Sequence, residues 1–126
     1  MIGYCRFCGQ GADVDTDEME KANELATEHC TCARAEDERR VKRQVMAAQV
    51  RAIDLFNEKC GRFGFAGAAA IETREIICLL VEEIARRNIQ SVKLDLGELG
   101  KCQIGITGKG KIKVTRTQGR TYTAEE

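Results

Sequence analysis

The chain has 126 residues, 43% of them apolar and 32% charged, which suits one modest globular domain or two very small ones and excludes a large enzyme with a deep cleft. Lys plus Arg and Asp plus Glu each total 20, so no global charge excess points to nucleic acid, membrane or an acidic partner, and any electrostatic argument is local. Four Phe, two Tyr and no Trp make a thin core, and chains this small often need a metal or a second subunit as a staple; seven Cys can supply the former.

The opening Met1-Ile2-Gly3-Tyr4-Cys5-Arg6 lacks a basic segment followed by an apolar one, and no apolar run reaches the roughly 18 residues of a membrane span. These features predict a protein of the cytoplasm, neither secreted nor membrane-spanning. Thiols in a reducing compartment stay free or bind metal, and an odd number of Cys fits that better than a disulfide framework.

In chain order, three segments are predicted. Residues 1–32 form an acidic head of net charge −5 that holds Cys5, Cys8, Cys30 and Cys32. Asp15, Thr16, Asp17 and Glu18 place capping side chains and negative charge at the start of a short helix running from about Asp17 to Glu28. Residues 33–60 form one long helix, because the run from Ala33 to Lys59 has no Gly and is rich in Ala, Arg, Glu, Lys and Gln. Val41, Val45, Ala48, Ala52, Leu55 and Phe56 share one stripe of that helix, whereas Met46, Val50 and Ile53 form a second, separate stripe. A helix apolar on two sides touches two things, so the second stripe predicts a homodimer or another partner.

Residues 61–126 are read as a helix followed by strands. The glycines of Cys60-Gly61-Arg62-Phe63-Gly64-Phe65-Ala66-Gly67 end the long helix. A second helix capped by Thr73 carries Ile76, Ile77, Leu80, Val81 and Ile84 on one arc and completes a helical hairpin. The period then shifts to two: Val92, Leu94 and Leu96, then Cys102, Ile104 and Ile106, then Ile112 and Val114 alternate with polar residues. The fold class is therefore α+β: an N-terminal zinc-bound head, a long helical hairpin, and a C-terminal three-stranded antiparallel β-meander packed on a helix.

Cys5-x-x-Cys8-Gly9 and Cys30-x-Cys32 give two close thiol pairs, the donor set for a tetrahedral four-thiolate Zn2+ site. Four protein ligands leave no open position, so the zinc is structural and its binding energy contributes to folding. His29, the only histidine, adjoins Cys30; adjacent side chains rarely aim at one ion, which favours a surface role. Cys60, Cys78 and Cys102 stand singly and suit buried apolar positions. Gly105 to Lys111 has the glycine and lysine frame of a phosphate-binding loop, but Ile112 stands where Ser or Thr belongs and strands flank both sides; it reads as a hairpin turn.

Lys101, Lys109, Lys111, Lys113, Arg116 and Arg120 crowd into the strand region, and a basic sheet face with flexible turns can track DNA or RNA phosphates. The bland alternative is a solvated face whose lysines discourage edge pairing. Arg39, Arg40, Lys42 and Arg43 lie beside Glu36, Asp37 and Glu38, the pattern of an exposed helix laced with ion pairs. Phe63 and Phe65 are anchors for a protein partner unless they fold back onto the core.

Tyr4-Cys5-Arg6-Phe7-Cys8-Gly9-Gln10, Cys30-Thr31-Cys32 leading into a charged helix, and Gly108-Lys109-Gly110-Lys111-Ile112-Lys113-Val114 together resemble small uncharacterised zinc-finger-like proteins of phages and prophages of Gram-positive bacteria. The resemblance implies a phage-borne protein of the bacterial cytoplasm whose four cysteines hold the metal. It implies no catalytic activity; small phage proteins of this sort include DNA-handling accessories and inhibitors of host defences such as anti-CRISPR proteins. With no nucleophile beside a base, no paired carboxylates and no open metal position, the residues favour a non-enzymatic binding protein without a small-molecule substrate. A nucleic-acid-binding accessory is the leading expectation. A protein-binding inhibitor of a host or defence complex, acting through the acidic head or the Phe loop, is the alternative.

Overall fold

The computed structural model describes residues 1–126. The chain divides into two compact units, residues 1–42 and 43–126, with the division inside the long helix rather than at its start or end. The fold is α+β, with a two-stranded antiparallel sheet in the first unit and a four-stranded antiparallel sheet in the second. No helix is long and apolar enough to cross a membrane.

In the first unit, strands β1 (Ile2–Tyr4) and β2 (Gly11–Asp13) form a small hairpin against helix α1 (Met19–His29). Gly3 sits so close to the α1 backbone at Ala22 that a Cβ there would collide with the Ala22 carbonyl. Ala22 and Ala26, small and fully buried, complete this close approach. The expected capping cluster behaves differently in detail: Glu18 provides no side-chain cap, and the Thr16 hydroxyl accepts the Glu18 N–H just ahead of the helix.

Helix α2 (Ala33–Phe56) is the predicted long helix, ended four residues earlier than expected. Asn57 stops it: its side chain accepts the Lys59 N–H and caps a 3-10 turn, Glu58–Phe63. The chain then leads into α3 (Ile71–Ala85), which begins without the expected Thr73 cap and instead starts after Ala70. Within the second unit, the Gln49 side chain donates to the Cys78 carbonyl and ties α2 to α3 midway along both.

The sheet has the order β3 (Ser91–Asp95), β4 (Lys101–Ile106), β5 (Ile112–Thr117) and β6 (Thr121–Glu125). The three-stranded expectation is corrected here. Residues 121–125 pair along β5 as a fourth strand whose Thr-rich sequence carries little apolar alternation. The predicted alternation of the other strands holds: Cys102, Ile104, Ile112 and Val114 are buried on one face, beneath Ile77, Val81 and Ile84 of α3. Ala48, Ala52, Leu55 and Phe56 of α2 fill the rest of this core.

Arg116 also lies on the buried face, with no exposed surface. Its guanidinium donates to four backbone carbonyls: Leu99 at 3.1 Å, Leu55 at 2.6 Å, Ala66 at 3.3 Å and Gly67 at 3.0 Å. The rings of Phe56 and Phe65 lie against it, each centroid 4.8 Å from Cζ. This one side chain thus closes the end of α2, the loop before α3 and the turn before β4. Carbonyls and ring faces take the place of a carboxylate, and the carbonyls are left without this donor in a desolvated core if the guanidinium is removed. Replacing Arg116 with Met is expected to lower the stability of the full chain by about 3 kcal/mol or more, read from the midpoint of urea unfolding; an unchanged midpoint would mean that the network contributes little.

Candidate metal centre

The first unit brings the four predicted cysteines to one point. Cys5 follows β1 directly, and the turn to β2 folds tightly: the Gly9 N–H donates to the Cys5 carbonyl at 2.8 Å and the Cys5 N–H to Gln10 at 3.0 Å. Gly9 adopts φ +75°, a left-handed conformation that an L side chain would resist. The turn therefore presents Cys5 and Cys8 on the same side. Cys30 comes from the end of α1 and Cys32 from the residue before α2.

The sulfurs lie within 4.8 Å of one another, with Cys5 to Cys32 at 3.8 Å and Cys8 to Cys30 at 3.5 Å. A tetrahedron of thiolates about 2.3 Å from a metal has sulfur edges of roughly 3.8 Å, so the cluster already has the size of a coordination shell. Cys5 is buried, Cys8 exposed and the other two half-buried.

Hydrogen bonds outside the cluster hold its parts in place. The Tyr4 N–H donates to Asn23 Oδ1 at 2.9 Å and the Arg6 N–H to Thr27 Oγ1 at 3.1 Å, which fixes the Cys5 to Cys8 turn along α1. Arg39 reaches back from α2 to the Thr27 and Glu28 carbonyls, satisfying the last turn of α1 where Cys30 begins. One member of the predicted basic cluster is therefore committed to structure. The sequence pattern did not single out Asn23 and Thr27, whose four-residue spacing on one helix face was the available signal, and it placed Arg39 only among exposed cations.

Electrostatics favour a cation. Burial pushes the Cys5 thiol up, but the N–H groups of Cys8 and Phe7 and the neighbouring Cys30 and Cys8 sulfurs outweigh it and bring the thiol down from 9.0 to about 6. At Cys32 the Ala35 N–H, at the positive end of α2, pulls the thiol down, yet burial and the adjoining Cys30 and Cys5 sulfurs leave it raised. Four close sulfurs cannot all ionise against each other in the absence of positive charge, and a divalent ion removes that conflict.

His29 is exposed on the last turn of α1 and is not part of the cluster. Cys60 and Cys102 are buried singly, and burial drives the Cys102 thiol to about 12 despite the nearby Arg116. Cys78 is half-buried, raised by burial and by Glu75.

The other predicted site residues are dispersed. Arg116 leaves the set of phosphate-binding candidates because it is sealed in the core. Lys101 and Lys113 lie on the outer sheet face, but Lys101 is opposite Asp95 and Lys113 opposite Glu125, so that face has mixed charge. Lys109 and Lys111 are exposed at the β4–β5 turn, where Arg87 joins them: its Nη2 is 3.7 Å from the position a Cβ on Gly110 would take. Arg120, in the β5–β6 turn, lies over Gly64 at the opposite end of these strands. Phe65 is a core residue, 5% exposed, which removes it as a partner anchor. Phe63 is half-buried, its ring 4.6 Å from that of Tyr122.

Fold and cluster together define an α+β protein with a four-cysteine site that can hold a metal ion. No family model, curated protein or solved structure matches the chain. Function must therefore be argued from the residues.

Changing any of Cys5, Cys8, Cys30 or Cys32 to Ser is expected to abolish stoichiometric metal uptake, whereas Cys60→Ser, Cys78→Ser and Cys102→Ser retain it, as measured by metal analysis of purified protein. Acid should reverse binding. A thiol lowered to about 6 from 9.0 contributes stability that is complete above pH 9.0 and is lost as pH falls through about 6. Metal affinity is expected to decline over that range, followed with a chromophoric chelator; affinity that rises on acidification would contradict thiolate ligation.

Proposed function

We propose that this is a small phage-type protein of the bacterial cytoplasm that binds structural Zn2+ and acts without catalysis, by contacting nucleic acid. The observation that carries the reading is the coordination shell: four thiols converge within 4.8 Å, a donor set that suits zinc and leaves no position for water or substrate. A metal held in this way organises a surface and performs no chemistry of its own.

The nucleic-acid contact is assigned to the β4–β5 turn. Lys109, Lys111 and Arg87 gather there with no acidic residue opposite them in the strand register, unlike Lys101 and Lys113; Glu126, which pairs with Ile112 at this end of the sheet, has its side chain on Arg51. Exposed cations on a narrow turn fit the backbone of a duplex or a single strand without reading sequence. Fluorescence anisotropy of zinc-loaded protein with short DNA over a salt series tests this. The Lys109→Glu, Lys111→Glu double variant is expected to bind more weakly than the Lys101→Glu, Lys113→Glu variant and to flatten the salt dependence by about two phosphate contacts. Absence of saturable binding at low salt would overturn the assignment.

One feature favours the second reading, inhibition of a host or defence complex. Asp13, Asp15, Asp17, Glu18, Glu20, Glu24 and Glu28 are all exposed in the first unit, a concentration of negative charge that suits a basic nucleic-acid channel. Under that reading the protein competes with nucleic acid for a basic partner and does not itself bind DNA.

A further inference from the structure

The second unit leaves one edge of its sheet open beside exposed apolar surface. In β3 the register pairs Val92 with Ile104 and Leu94 with Cys102, and the Leu96 N–H donates to the Gly100 carbonyl. In an antiparallel ladder, hydrogen-bonded pairs recur every second residue. The even-numbered residues thus bond to β4, whereas the N–H and C=O groups of Ser91, Lys93 and Asp95 point away from the sheet. This is an unpaired template that a chain must cover or defend.

Nothing in the second unit covers it. Helix α3 lies over β4 and β5. Helix α2 is fastened to the other margin, by Gln44 to the Gly110 and Glu126 carbonyls, by Arg51 to Glu126 and by the Leu55 carbonyl to Arg116. The flank of α3 remote from α2 therefore overhangs the β3 side. It carries Ile76, 53% exposed, and Leu79, 58% exposed, while β3 itself carries the half-buried Val92 and Leu94.

We propose that β3 is a self-complementary edge that pairs with β3 of a second copy of this chain, in antiparallel register about Leu94. The outward groups and the charges select this register. Centred on Leu94, each Lys93 faces Asp95 of the other copy, both at outward-bonding positions, and the two Leu94 side chains meet on the apolar face. Centred on Lys93, the same edge would set two lysines directly opposite each other, which is unfavourable. The resulting sheet is continuous across the two copies.

The test uses the full chain in analytical ultracentrifugation. The wild type is expected to dimerise, and Lys93→Asp and Asp95→Lys are each expected to weaken the dimer about tenfold by opposing like charges at both pairs. Mixing the two variants restores association, because each Asp of one then faces a Lys of the other. Lys93 is exposed and lies opposite Gln103, so circular dichroism should show Lys93→Asp folded; Asp95 also lies opposite Lys101 and accepts the Gly97 N–H, so the folding of Asp95→Lys is checked directly, and association restored by mixing requires that both variants are folded. Hydrogen exchange supplies a second readout: the Lys93 and Asp95 amides are protected in the dimer and exchange freely in either variant alone. A monomeric wild type, variants that dimerise like the wild type, or a mixture that stays dissociated would each overturn the proposal. So would a dimer lost on Met46→Glu and retained in both β3 variants, which would place association on the exposed stripe of α2.

Discussion

Four sulfur atoms within 4.8 Å are the constraint on which the first unit depends. Its hairpin strands are three residues each and its helix has eleven, too little apolar material to hold together on burial alone. What burial there is comes from the near contact of Gly3 with Ala22 and from small alanines. The two hydrogen bonds that tie the turn to α1, from the Tyr4 and Arg6 N–H groups to the Asn23 and Thr27 side chains, flank Cys5 on either side. A metal would convert these weak local preferences into one arrangement, because the loops it closes are otherwise entropically costly to keep closed.

The second unit solves the same shortage differently. The end of α2, the loop before α3 and the turn before β4 meet around a buried guanidinium, which spreads its donors over carbonyls from these three segments and stacks on two Phe rings. A helix C-terminus leaves carbonyls without partners, and Leu55 at the end of α2 is one of them. Arg116 satisfies it with a full positive charge, where the dipole of α2 is negative. The same residue explains why Phe65 turns inward.

Much of this was legible from spacing. The α+β class, the long helix, the cysteine quartet and the period-two segments follow from patterns that physics makes local: glycines interrupt the helix, and alternation marks a half-buried sheet. The misses have physical reasons. Strand β6, Thr-Tyr-Thr-Ala-Glu, has one small Ala and one half-exposed Tyr as its apolar residues, so its membership comes from pairing with β5 and not from hydrophobicity. Strand β2, Gly-Ala-Asp, has no strand propensity and forms because the cysteine turn returns the chain beside β1. Arg116 shows where composition misleads. Counted with its neighbours it looks like one more surface cation, yet it shares the parity of Ile112 and Val114, and that parity points inward. Lys101 and Lys113 have the opposite parity and are exposed, but only pairing with β3 and β6 reveals the acids opposite them.

If four thiolates saturate the ion, the metal has no open position, and the proposed contacts are those of the surface: the cationic turn, the acidic head and the open edge of β3. X-ray absorption at the zinc edge of the purified, zinc-loaded chain tests this claim most directly. The expected result is a coordination shell of four sulfurs at about 2.3 Å with no lighter atom. An oxygen in that shell would contradict it, since a position held by water would open the site to exchange and chemistry; a nitrogen would replace one of the four thiolates with His29.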